Sequence, residues 1–514
     1  MFLYSGLYAM LGNRCRAHYT QDKERGMSMK GVQTVVAAVS AALILVASMA
    51  FAGVDHSDFV KGPFTKGQDV TKQCLECHDK QAADFMKTTH WTWKGTPNHV
   101  KGMEKSTKQY GKFNMINSFC TTVFNGKDAK PMESCGKCHA GYGWTRSKFD
   151  HNDKTRVDCL VCHAQKGNYE RAAVGCDIDM KAIQKGSMDL DKAAKSVGKP
   201  TLQNCGYCHF YGGGGDAVKS PGLDSTLLAA DKNADVHMAK KEKGGAGLLC
   251  QDCHKTKDHK IAGASSMMAH YDARVNCADC HTGAKAPHQK SKNKAILDKH
   301  TASVACQTCH IPTISRGQAT KVGWWWSDTG KHIEPKEEFD KETFQKKKGT
   351  FKWNMNYVPT YAWYNGSMER YMVGDKIKDP SKPVVMIKPV GDIKDKTAKI
   401  YPYKFYEGSQ PMDAKFKYLN TFQQYESLWK HYDWEKALKD GGQDLGLPYS
   451  GKFQFVKTVA WLAAPHEVAP KEQALQCGEC HMGAKRMDWA ALGYKGDPMQ
   501  VGGRSVEKAG KKKK

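Results

Sequence analysis

Eight copies of Cys-x-x-Cys-His occur in this 514-residue chain, and every Cys-x-x-Cys it contains is followed by a histidine. They are Cys74/Cys77/His78, Cys135/Cys138/His139, Cys159/Cys162/His163, Cys205/Cys208/His209, Cys250/Cys253/His254, Cys277/Cys280/His281, Cys306/Cys309/His310 and Cys477/Cys480/His481. Zinc knuckles and redox dithiols have no reason to keep a histidine there, whereas covalent attachment of c-type haem needs one. Two thiols one helical turn apart form thioethers with the vinyl groups of one porphyrin, and the next residue sets an imidazole under the iron. The motifs use 16 of the 19 cysteines and predict eight covalently attached c-type haems.

A haem with histidine on both faces carries electrons, while one with an exchangeable sixth position can bind substrate. Of 21 histidines, eight are proximal and His18 lies far upstream, which leaves His56, His90, His99, His151, His237, His259, His270, His288, His300, His332, His431 and His466. Twelve exceed eight, so the count permits two imidazoles at every haem and does not reveal an open iron. The candidate distal ligands are His56, His90, His237, His259, His288, His300 and His466, several of them placed just before or after a motif. The surplus favours a low-potential bis-histidine chain over methionine ligation. Cys120 and Cys176 stand outside the motifs. They suit either a disulfide in an oxidising compartment or, for Cys120, a thiol at a haem pocket 15 residues before the second motif.

The elements that must hold these groups follow from spacing. Residues 27–52 carry Lys30, an apolar run from Val32 to Ala47 and the stretch Ala50-Phe51-Ala52, which reads as a cleavable secretory signal behind an over-long start at 1–26. No later stretch is apolar enough to span a bilayer, so the mature chain of about 462 residues is expected to be exported to the periplasm without a transmembrane segment. Seven motifs lie between Cys74 and His310 at spacings of 61, 24, 46, 45, 27 and 29 residues. That is too close for each haem to own a polypeptide core, so the porphyrins are expected to pack on one another.

The expected division is a haem-dense body over 53–313, a haem-free wrapping lobe over 314–476, and the eighth motif with a basic tail over 477–514. The lobe is rich in Trp and Tyr and broken by Gly/Pro turns. Because haem motifs sit on short helices and Leu, Ile, Val and Phe are sparse, the predicted class is mainly α with extensive irregular structure. The formal charge of +25 is that of a nucleic-acid binder, but the address and the haem count exclude that class. Haem propionates neutralise much of the excess, and the rest suits a small anionic substrate or an acidic redox partner.

Local strings carry a resemblance. Cys135-Gly-Lys-Cys-His-Ala-Gly-Tyr-Gly-Trp144, Asp158-Cys-Leu-Val-Cys-His163, Asn204-Cys-Gly-Tyr-Cys-His-Phe-Tyr-Gly-Gly-Gly-Gly215, Cys306-Gln-Thr-Cys-His-Ile-Pro312, His466-Glu-Val-Ala-Pro470 and Leu492-Gly-Tyr-Lys-Gly-Asp-Pro498 together resemble the octahaem tetrathionate reductase family of c-type cytochromes. The resemblance implies seven bis-histidine electron carriers and an active haem at the second motif, with a lysine amine as its distal ligand. Lys219 is the candidate and Lys199 the fallback, although Val218-Lys-Ser-Pro-Gly-Leu-Asp224 replaces the His-Gly-Asp continuation expected after the lysine. Cys120 matches the family's pocket cysteine in position, and Asp150 and Asp153 are further pocket candidates. The implied activity is reduction of small sulfur or nitrogen oxyanions (tetrathionate, nitrite) or of hydroxylamine, fed by a quinol dehydrogenase or a small cytochrome. Two alternatives stand beside it: an electron conduit with eight six-coordinate irons, and a hydroxylamine oxidase, which would need a tyrosine cross-link. No Cys-x-x-Cys-Lys motif is present, which excludes the usual pentahaem nitrite reductase.

Overall fold

The computed structural model describes residues 55–122, 134–144, 149–172, 176–263, 276–283 and 286–504. The expected leader, His270 and the lysine tail lie outside them. The chain forms two compact units, Met1–His56 and Ser57–Lys514, and of the first only Asp55 and His56 are described. Among the described residues no helix is long and apolar enough to cross a membrane.

Six attachment motifs lie on helices, the first on the 19-residue α1 (Gly67–Phe85) and the others on the shorter α2 (Leu160–His163), α3 (Leu202–His209), α4 (Cys250–Cys253), α5 (Cys306–His310) and, beyond α6 (Trp434–Leu445), α7 (Cys477–Cys480). The second and sixth use 3-10 turns, Ser134–Cys138 and Cys277–Asp279. One turn suffices to bring two thiols to the same side, and single turns need caps. Thr201 accepts from the Asn204 amide while Asn204 accepts from the Thr201 amide, closing a capping box on α3. In three motifs the carboxylate between the cysteines folds back on the preceding backbone: Asp252 on the Leu249 amide at 2.8 Å, Asp279 on the Asn276 amide at 3.0 Å, and Glu479 on the Gln476 amide at 2.8 Å.

The expectation of a mainly α fold is corrected by an eight-stranded mixed sheet. Its strands are β1 (Thr320–Trp325), β2 (Phe344–Gln345), β3 (Gly349–Asn354), β4 (Thr360–Tyr364), β5 (Met368–Arg370), β6 (Val384–Pro389), β7 (Lys399–Asp413) and β8 (Phe453–Ala463). They run in the order β2-β3-β1-β7-β8-β6-β5, with β4 also paired to β7. The long β7–β8 ladder is antiparallel from Tyr403↔Ala463 to Asp413↔Phe453, whereas β7–β1 and β6–β8 are parallel. Sparse aliphatics argued against sheets, but these strands draw on Trp, Tyr, Thr and Val, which suit a pleated, half-buried surface equally well.

Packing joins the sheet to the segments between motifs. Ile116, Phe119, Cys120 and Val218 share one core cluster with Trp324, Trp326, Tyr406 and Phe422. Trp324 and Trp326 stack at 4.8 Å, and the Trp326 indole donates to the Phe119 carbonyl at 2.7 Å. The stretch after α5 leaves and returns at one place, since Ala469 N–H donates to the His310 carbonyl (2.8 Å) and Leu475 N–H to the Cys309 carbonyl (3.0 Å).

Gly408 on β7 sits opposite Trp324, and a Cβ there would lie 2.3 Å from the Trp324 carbonyl oxygen. Backbone cannot yield as a side-chain tip can, so Gly408→Ala is expected to cost about 1–3 kcal/mol, read as a lower urea midpoint of the holoprotein with an unchanged denaturant slope.

Candidate haem cavity and the Lys219 wall

One cavity of about 3290 Å³ runs through the molecule, several times the roughly 300–1,000 Å³ of an ordinary ligand pocket. Its wall carries the motif histidines His163, His209, His254, His281, His310 and His481, together with His90, His237, His259, His288, His300 and His466. The motif cysteines Cys138, Cys162, Cys205, Cys208, Cys250, Cys253, Cys277, Cys280, Cys306, Cys309, Cys477 and Cys480 line it as well. Cys74, Cys77, His78, Cys159 and His139 do not, and the Cys135 side chain lies outside the described atoms.

The imidazoles face each other across this space. Ring centres are 6.1 Å apart for His90 and His209, 6.5 Å for His163 and His259, 6.1 Å for His237 and His281, and 6.2 Å for His300 and His481. Two metal–nitrogen bonds of about 2 Å, plus about 1.2 Å from each nitrogen to its ring centre, would set two axial imidazoles about 6.3 Å apart. The donor set therefore fits haem iron. His310 is kept neutral first by burial and then by the nearby charges of His288, His281 and His237. Burial likewise pushes His209 down to about 3, with His90, Lys219, His254 and His466 adding like charge. Neutral imidazole is the form that ligates.

Thiols of different motifs also touch: Cys74 with Cys159, Cys138 with Cys208, Cys205 with Cys250, and Cys277 with Cys306 are hydrogen-bonded pairs. Once these sulfurs are thioethers the hydrogen bonds disappear and the proximity remains, which places attachment points side by side.

Lys219 lies on the cavity wall just after the glycine run. Gly213 and Gly214 take φ of 84° and 97°, and a Cβ on Gly213 would press on Val218 at 3.0 Å and on Lys219 at 3.4 Å. Behind the loop, the buried Lys404 amine donates to the Val218 carbonyl and to Thr320 Oγ1, both at 2.8 Å. Thr320 in turn donates to the Ala217 carbonyl at 2.6 Å. Desolvation first, then the charges of Arg370 and Lys112, push the Lys219 amine down to about 7. Cys120 shares this wall; its Sγ accepts from Gln424 Nε2 at 2.9 Å and donates to Thr122 Oγ1 at 3.1 Å.

His139 is placed differently. Its Nε2 donates to the Trp91 carbonyl at 2.7 Å, and Trp93, Trp144 and Phe149 surround the ring. The fully buried Arg171 ties this region together: it donates to the carbonyls of His139, Gly141 and Cys176 and lies 3.3 Å from Asp158.

A family model described as "Cytochrome c bacterial" matches residues 321–484. An uncharacterized protein of Archaeoglobus fulgidus is 24% identical over 250 residues, 41% of this chain and 81% of that protein. The crystal structure of the octahaem cytochrome c from Shewanella oneidensis is 41% identical, with a TM-score of 0.76, and the match covers 87% of this chain and 98% of that one. This chain belongs to that family of multihaem c-type cytochromes.

As a c-type cytochrome it carries covalently bound haem, and the remaining sequence candidates can be placed around that cofactor. Asp150 is exposed and accepts from the Asn152 amide. Asp153 caps the turn Lys154–Arg156 and pairs with Arg156 at 3.2 Å. Neither lines the cavity. Lys199 is a surface residue 3.9 Å from Asp252. Cys120 is hydrogen-bonded to Gln424 and Thr122, and Cys176 is buried beside Trp93 and Trp144. Sequence reasoning missed Lys404, Arg370, Gln424 and Lys112. Only Lys404 left a signal, as a lone cation in the aromatic run Tyr401-Pro-Tyr-Lys-Phe-Tyr406.

Removing one partner of a buried ion pair strands the other, so Arg171→Met is expected to cost about 3–5 kcal/mol. Chemical denaturation of the holoprotein measures it, and a loss under 1 kcal/mol would contradict the structural role given to Arg171.

Proposed function

We propose that this cytochrome is an exported, periplasmic reductase of small sulfur or nitrogen oxyanions and of hydroxylamine. In this reading it carries eight haems, seven of them bis-histidine relays, and substrate is handled at the haem of the second motif, opposite Lys219. The observation that carries it is the cluster at the wall: a lysine amine with a depressed proton affinity, a thiol held by Gln424, and like charges from Lys112 and Arg370. That Lys219 serves the second motif is what the resemblance implies; Cys138 of that motif shares the wall, and His90 faces His209. For His139 to serve as proximal ligand, its Nε2 must leave the Trp91 carbonyl. The haem-dense body over 53–313 and the wrapping lobe over 314–476 are part of the same proposal.

When bound, the haems supply redox-active iron and stored electrons. The residues supply the rest. A neutral Lys219 amine would be able to hold the iron, and a protonated one would present an ammonium to an oxyanion at this wall. Lys112 and Arg370 favour an anion there and disfavour a bystander cation. Nitrite and hydroxylamine consume protons as they are reduced, and the Lys219 ammonium can deliver one. Tetrathionate splits into two thiosulfates with two electrons and no proton, so for it the same ammonium acts only by charge.

The four facing imidazole pairs and the Trp91 hydrogen bond of His139 favour a second reading, an electron conduit with no substrate site. Paramagnetic resonance of the protein with and without nitrite, hydroxylamine or cyanide separates the two. The reductase reading expects one haem to change coordination under reducing conditions, and the absence of any change sinks it. Lys219→Ala is expected to alter one low-spin signal and lower turnover at least 100-fold, a typical loss for a group of this kind; eight unchanged signals would reject the ligand assignment. His300→Ala is expected to convert a different haem to high spin while substrate turnover per electron delivered stays the same.

A further inference from the structure

An open depression of about 810 Å³ on the surface is lined by Lys346, Lys347, Lys348 and Lys430, with Tyr425, Trp429 and Tyr432 as its aromatic side. Two of these residues, Lys348 and Trp429, also line the haem cavity. Lys348 and Trp429 thus stand between the two spaces. Trp324, on the inner wall, donates through Nε1 to the Lys348 carbonyl at 2.7 Å, and Tyr425 packs on Trp429 at 4.5 Å. A single turn of π-helix, Gln424–Leu428, leads into Trp429. Gln424 reaches inward to the Cys120 sulfur at 2.9 Å, while the next residue, Tyr425, lines the outer depression. Such turns recur at functional sites because they aim adjacent side chains in directions a regular helix does not allow.

The charges are one-sided. Lys346, Lys347 and Lys430 are exposed. The acid lining the depression is Glu342, which accepts from Gln345 at 3.0 Å, and Glu426 lies 3.8 Å from Lys430. Inside, Lys112 and Lys219 continue the positive wall. A cleft lined by one sign of charge raises the local concentration of the opposite ion.

We propose that this lysine-lined depression is the anion entrance to the Lys219–Cys120 wall, selecting small anions over neutral molecules of the same size. The inference rests on the proposed substrate site but is read by entry, not by turnover. Stopped-flow spectra of the holoprotein would follow the binding of nitrite and azide, as anions, and of hydroxylamine, neutral at pH 7, in wild type and in Lys346→Glu/Lys347→Glu. A Lys181→Glu/Lys185→Glu variant, which makes the same change of net charge away from both cavities, is the control. Anion entry is expected to slow about 10-fold in the first variant at low ionic strength, within the range of electrostatic steering. The difference should vanish near 0.5 M salt, where the screening length is only about 4 Å. Hydroxylamine entry should not change, nor should anion entry in the control. Equal slowing of hydroxylamine, equal slowing in the control, or no slowing of anions overturns the entrance. Anion entry that behaves as expected, without turnover of any substrate, overturns the reductase reading and leaves the entrance standing. If no ligand perturbs any haem, both fall.

Discussion

Everything in this molecule answers to the crowding of its attachment sites. Thiols from the first and third, second and fourth, fourth and fifth, and sixth and seventh motifs touch in pairs, so the chain cannot insert a polypeptide core between them. Among the described residues, one large cavity is walled by motif cysteines and imidazoles. Porphyrin seated there buries apolar surface that Leu and Ile bury elsewhere, beside the small side-chain core of Val60, Phe64, Val70, Leu160, Ile178 and Leu190. Apart from α1, the motif helices are one or two turns long, and carboxylates such as Asp252 and Glu479 stabilise them locally.

What the polypeptide buries by itself is concentrated in the sheet, and the sheet serves the wall. β7 delivers Lys404 behind the Val218 carbonyl, β1 delivers Thr320 against Ala217, and Arg370 at the end of β5 holds the Ile116 carbonyl and Ser118 on the approach to Cys120. Two basic side chains, Lys404 and Arg370, are buried behind this wall with hydrogen bonds to carbonyls and hydroxyls. Such burial is costly in a folded protein, and it is consistent with a pocket shaped to receive negative charge.

That the chain carries covalently bound haem was legible, because covalent chemistry fixes residue type and spacing together. His90, His237, His259 and His300 were legible as candidates by surplus alone; which motif each one faces depends on folding between residues far apart in the chain, 181 residues for His300 and His481. The sheet escaped notice because its strands are written in Trp and Tyr, residues that equally suit a loop wrapped on haem, and because β7 carries Lys404 and Gln410 at fully buried positions. Lys219 and Cys120 came from resemblance. Their neighbours Arg370 and Gln424 lie 151 and 304 residues away from them in sequence, beyond the reach of any local pattern.

The backbone bonds that tie Ala469 to His310 and Leu475 to Cys309 make the long stretch between the last two motifs a loop with a closed neck. A segment that departs and comes back at one point can be lengthened, shortened or exchanged without altering the separation of its anchors. The parts of that stretch away from Ile400, which holds the seventh motif through Ala305 and Thr308, are therefore where a lineage could add or remove residues while the neck stays closed.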